Sequence, residues 1–270
     1  MVGFFLVGSF FSISAISFLS IQKLFVYSIA VFLFITGIYM FNAFSGYSSD
    51  VTNERLSFFY RKKPKEFLGF FSVFSVLSLW IFYVIDPILM RFAVIVLLLW
   101  VLYSLPKVGL KAFPVTGTVV HFISQVIHFQ MGYVLFRPVD VTALFISIYF
   151  ALLFSGGHFH HESIDYDADK RHGIQTSAVC FGDHMARNIS FCIFCLSIIY
   201  WALLYYIKIL TFWEFLPFGI AFFAHGVSFV IYARKTQYSQ YIKIHYRALY
   251  RVYYLTAGLV LSVIKIVNFY

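Results

Sequence analysis

Apolar residues run in long blocks along this chain, and short polar clusters interrupt them. A block of about 20 apolar residues is long enough to cross a bilayer as a helix. Nine candidate spans follow from this pattern: about 3–20, 24–45, 66–84, 87–104, 114–135, 141–160, 187–208, 213–232 and 250–269. The break between the third and fourth is only Asp86-Pro87, and Pro suits a first helical position, so a turn between two helices is expected there. The first block starts apolar, with no charged leader region or cleavage site, and reads as a membrane helix.

Charge supports this count. The loops after the even-numbered spans hold 15 of the 20 Lys and Arg residues. The positive-inside rule then places the N-terminus and those loops in the cytoplasm. Composition agrees: 61% of residues are hydrophobic, 11% are charged, and mean hydropathy is +0.86. A soluble domain carries about 25% charged residues. The net charge of +9 is accounted for by the loop asymmetry, so nucleic acid is not an expected partner. Cys180, Cys192 and Cys195 show neither zinc-ligand spacing nor an even disulfide count. No soluble domain, linker or internal low-complexity segment is visible, so residues 1–270 read as one transmembrane domain. The expectation is an all-α, polytopic bundle in a lipid bilayer.

The most informative polar segment is ESIDYDADKRHGIQTSAVCFG, Glu162–Gly182. Glu162, Asp165 and Asp169 are spaced i, i+3 and i+7, which places them on one helix face. Carboxylates at the end of a membrane helix are costly and mark a functional site. Their oxygens suit a hard cation such as Mg²⁺. A second polar loop spans about 46–65. Before it, Asn42, Gly46 and Asp50 recur at i, i+4 and i+8, again on one face. A third polar feature is the stripe His121, Gln125 and His128 on the fifth span, expected to face the bundle interior. It could bind a second substrate, assist its deprotonation, or make structural hydrogen bonds. The cluster His158-Phe159-His160-His161-Glu162 is one HxHH motif. Histidine-box di-iron enzymes use several such clusters, so it reads better as interfacial polar residues.

The second motif, with Asp165, Asp169, Gly173, Thr176, Ala178, Val179 and Gly182, resembles the second aspartate-rich motif of the UbiA superfamily of intramembrane prenyltransferases. Nine helices with motifs after the second and sixth match that layout. The family's first motif, NDxxDxxxD, is degenerate here: Asn42 and Asp50 match, but Ala43 and Gly46 replace two aspartates. The resemblance implies a nine-helix UbiA-type bundle with a central cavity. It also implies Mg²⁺-dependent transfer from a prenyl diphosphate to a lipophilic acceptor. Asn42, Asp50, Asp165 and Asp169 would be catalytic, with Asp50, Glu162, Asp165 and Asp169 on the metal. Arg55, Lys170 and Arg171 would meet the phosphates, and His121, Gln125 and His128 the acceptor. A terpene cyclase of the same fold and a non-catalytic isoprenoid-binding protein are the alternatives.

Overall fold

The computed structural model describes residues 2–13, 17–50, 63–105, 109–233 and 239–267. The described residues form helices and turns, with no strand. In chain order the helices are α1 (Val2–Ser12), α2 (Phe18–Asp50), α3 (Pro64–Ile85), α4 (Pro87–Ser104), α5 (Thr116–Val134), α6 (Val141–Arg171), the short α7 (Ser177–Phe181), α8 (Asp183–Tyr206), α9 (Phe212–Ala233) and α10 (Gln240–Val267). A 3-10 turn, Leu110–Ala112, precedes α5.

Seven of these are long and apolar enough to cross a membrane, among the described residues: α2, α3, α4, α6, α8, α9 and α10. The protein is therefore a multi-pass integral membrane protein. The remaining two expected spans correspond to α1 and α5. The described α1 has 11 residues, about half the hydrocarbon thickness at 1.5 Å per residue. α5 has 19 residues, but its Thr, Ser, Gln and His content lowers its hydropathy.

Three boundaries differ from those expected. α1 stops at Ser12 and α2 starts at Phe18, well before the expected break near residue 22. Ser17 explains the start: its Oγ accepts the Ser20 N–H at 3.1 Å, an N-cap bond. α6 continues to Arg171, because no Gly or Pro lies between Gly157 and Gly173. Its 31 residues span about 46 Å, so roughly three turns extend past a 30 Å hydrocarbon core. α10 begins at Gln240, ten residues before the apolar block, and its first turns carry Lys243 and Arg247. At Asp86-Pro87 the turn is as expected, with the Asp86 carboxylate accepting the Ile88 N–H at 2.8 Å.

α5 sits at the centre. One core cluster joins it to α1, α6, α8, α9 and α10 through Phe129 and Tyr133, packed with Phe150, Trp201 and Phe218. The other joins it to α2, α3 and α4 through Met131 and Val134, packed with Phe34, Phe82 and Trp100. This position explains how a helix with so many polar groups is tolerated: its His121, Ser124, Gln125 and His128 are all buried among other helices.

Candidate functional site

α6 presents the acidic face, and its C-terminal turn is built to hold it. Gly173 adopts φ +70°, the left-handed region where an L side chain is strained. The Gly173 N–H reaches the Lys170 carbonyl at 3.3 Å, and the Ile174 N–H reaches the Asp169 carbonyl at 2.9 Å. This pair of bonds is a Schellman cap. It turns the chain back, so that the Thr176 hydroxyl donates to Asp169 Oδ2 at 3.3 Å. The spacing Asp169, Gly173, Thr176 thus follows from one helix end. Ala178 is fully buried, and its N–H donates to Glu162 Oε2 at 3.3 Å, so α7 folds under the acidic face. Gly182, at φ +88°, is then the single residue between the end of α7 and the start of α8.

The three carboxylates have different surroundings. Glu162 is the most enclosed, engaged by Ala178 and lying 3.6 Å from His158 Nδ1. Asp165 Oδ2 lies 3.3 Å from His161 Nδ1. Asp169 faces Thr176 and lies within electrostatic reach of Lys111, on the 3-10 turn before α5. Lys111 therefore belongs to the site's electrostatic surroundings, although its sequence position marks it only as a loop charge.

The first motif approaches through α4. The Ser104 hydroxyl donates to Asn42 Oδ1 at 3.1 Å, and Ser45 bonds the Ser104 carbonyl. The adjacent Tyr103 turns the other way: its hydroxyl is 3.4 Å from His158 Nε2, within electrostatic reach of Glu162, Asp165 and Asp169. Consecutive residues of α4 thus connect the α2 and α6 halves. Asp50 ends α2, but its side chain lies outside the described residues, as does Arg55 entirely. Lys170 folds onto its own helix, with Nζ 3.4 Å from the Tyr166 hydroxyl. Arg171 is exposed in the last turn of α6, where a cation suits the negative helix end.

The stripe on α5 adjoins the acidic face. The His121 ring lies 3.9 Å from the His158 ring and contacts Trp100, Tyr103 and Phe154. Gln125 Oε1 pairs with His128 Nδ1 at 3.2 Å. His121 Nδ1, Ser124 Oγ and Gln125 Nε2 are buried with no hydrogen-bond partner. A continuous polar line therefore runs from Glu162 through His158 and His121 into the bundle. Sequence alone did not show Tyr103 or Thr118 in this line; Thr118 Oγ1 bonds His158 Nδ1 at 3.1 Å.

Among the described residues, no group of three His, Cys, Asp or Glu side chains is arranged to hold a metal ion. Asp165 and Asp169 nevertheless provide hard oxygen donors. That is the donor type of Mg²⁺, which commonly takes one or two carboxylates and fills its remaining positions with water and phosphate.

The chain resembles several solved structures along nearly its whole length. A UbiA homologue from Archaeoglobus fulgidus bound to GPP and Mg²⁺ is 18% identical, with TM-score 0.74, covering 97% of this chain and 94% of that one. The same homologue bound to DMAPP and Mg²⁺ gives TM-score 0.72 at 18% identity, with coverage of 97% and 94%. An apo UbiA homologue from Aeropyrum pernix K1 is 13% identical, with TM-score 0.70 and coverage of 94% and 95%. At these identities the likeness establishes the fold. No curated protein matches the chain. The sequence model of the UbiA prenyltransferase family, however, matches residues 1–250, which takes in both motif-bearing helices. With the acidic face of α6, its Schellman turn and the α2 helix joined to it through α4, the chain belongs to the UbiA prenyltransferase family.

Proposed function

We propose that the protein is an Mg²⁺-dependent intramembrane prenyltransferase acting on a prenyl diphosphate and a lipophilic acceptor. The acidic face of α6, with Asp169 held by the Gly173 turn and Asp165 beside His161, carries this reading. Family membership and the relatives bound to GPP or DMAPP with Mg²⁺ support it. We place the cavity between α2, α4, α6 and α10, in a bundle of nine membrane helices that includes α1 and α5. Residues 1–270 then form one domain, with the N-terminus and both motif loops cytoplasmic.

In the reaction, the allylic C–O bond breaks, diphosphate leaves, and the acceptor bonds to the allylic carbon and loses a proton. Asp165 and Asp169, with Asp50, Asn42 and Glu162, would hold Mg²⁺. When bound, the ion neutralises charge growing on the leaving group. Lys170 and Arg171, with Arg55, supply cationic side chains for the phosphate oxygens. His121, Gln125 and His128 orient the acceptor's polar group. Unpartnered His121 Nδ1 and Gln125 Nε2 support that assignment, because an unpaired polar group at membrane depth is costly.

Purified protein in nanodiscs, given Mg²⁺ and labelled prenyl diphosphates of several lengths, tests the reading through diphosphate release. Release that requires a membrane lipid extract and disappears in Asp165→Ala is the expected result. Release without acceptor would identify a cyclase or hydrolase. No release from folded protein at any chain length would favour a non-catalytic isoprenoid-binding protein, for which the replacement of two aspartates by Ala43 and Gly46 is the motive.

A further inference from the structure

We infer that Arg247, on α10, is a diphosphate-binding residue, an inference that rests on the prenyl diphosphate reading above. Arg247 lies 76 residues beyond Arg171, the last basic residue of the second motif, and outside both motifs. The early start of α10 places it on a helix, half-buried, with Nη1 donating to His161 Nδ1 at 3.0 Å. The same His161 nitrogen lies 3.3 Å from Asp165 Oδ2. A nitrogen that accepts from a guanidinium has no proton to give a carboxylate. The arrangement is therefore a cation and an anion meeting across one imidazole nitrogen, two hydrogen-bond lengths apart at most.

The opposite side of the site faces the same cation. Tyr39 on α2 lies within electrostatic reach of both Arg247 and Arg251. Tyr39 is one turn before Asn42, so the helix that carries the first motif lies within electrostatic reach of the α10 arginines. Arg247 thus stands between the α2 and α6 halves, where a diphosphate bound by both would lie.

Charge balance gives that position a role. The α2 face offers Asn42, Gly46 and Asp50, a single carboxylate where the motif of the resembled family has three. Fewer carboxylates hold less metal charge, and the leaving diphosphate needs compensation from side chains. A guanidinium fork fits phosphate oxygens in a bidentate manner, and a lysine does not.

The test is binding of geranyl diphosphate to the full-length protein in nanodiscs with Mg²⁺, alongside geraniol binding and thermal unfolding. Arg247→Gln is expected to weaken geranyl diphosphate binding roughly 10- to 100-fold. Geraniol affinity and the unfolding midpoint should stay at wild-type values. Unchanged geranyl diphosphate affinity overturns the inference. A parallel loss of geraniol affinity and stability overturns it too, because Arg247 would then be scaffold only. Should Arg247→Gln not fold, Arg247→Lys keeps the charge and loses the fork. Several-fold weaker binding is then expected, and wild-type affinity refutes the role. Absence of Mg²⁺-dependent binding by the wild-type protein would instead remove the prenyl diphosphate reading, and this inference with it.

Discussion

Breaking the Asp183–Lys243 pair should destabilise the protein more than any exposed ion pair could. Lys243 is 5% exposed, and its ammonium lies 2.6 Å from Asp183 Oδ2. It also donates to the Ser163 carbonyl at 2.9 Å, while the Ser163 hydroxyl donates to Asp183 Oδ1 at 2.5 Å. Three helices meet here: α6, the first residue of α8 and the first turn of α10. Asp183→Ala leaves a buried cation without its carboxylate partner, which costs about 3–5 kcal/mol. The partial exposure of Asp183, 19%, puts the expected cost near the lower end, about 3 kcal/mol. Removing an anion from the α8 N-terminus adds up to about 1 kcal/mol. Asp183→Ala combined with Lys243→Met removes both charges and should recover most of the loss. Equilibrium unfolding in mixed micelles measures each corner of this cycle. A single-variant cost below about 1 kcal/mol, the level of a solvated pair, would refute the buried-charge reasoning. So would a double variant no more stable than the single.

Three further outcomes follow from backbone positions. Gly8→Ala would drive a Cβ into the Phe129 carbonyl oxygen, so α1 must move off α5; a loss of about 3 kcal/mol in the same unfolding experiment is expected, and a neutral result would contradict this contact. Val115 holds φ +67° at the start of α5, a strained state for a β-branched residue, and it is 44% exposed, so little packing is lost on truncation; Val115→Gly should raise stability by about 1 kcal/mol, seen as a higher unfolding midpoint. Gly173→Ala should cost about 1–2 kcal/mol for a Cβ in the left-handed region and reduce Mg²⁺-dependent diphosphate release by more than that stability loss explains, because the turn positions Thr176 on Asp169; wild-type turnover per folded molecule would count against the turn's role.

What could be read from the sequence, and what could not, divides by contact range. The acidic face of α6 was legible because helix spacing fixes it, and Gly173 and Thr176 lie within five residues of the helix end. The α5 stripe was legible for the same reason, and burial of all three residues agrees with an inward face. The helix boundaries were less legible, because hydropathy reports membrane depth and not helix ends. Ser17 capped α2 inside what reads as a continuous apolar block, and α6 and α10 continue as helices through charged residues outside the hydrocarbon. The contacts of α10 were not legible at all. Lys243 meets Ser163 across 80 residues and Arg247 meets His161 across 86, and no local periodicity encodes such pairings. By position, both basic residues looked like topology signals of the cytoplasmic side. The two readings are compatible: a basic residue at the membrane surface can also turn inward when a helix continues beneath it. The degenerate first motif therefore does not by itself measure the charge available to a substrate, because part of that charge comes from a helix that shares no motif with α2 or α6.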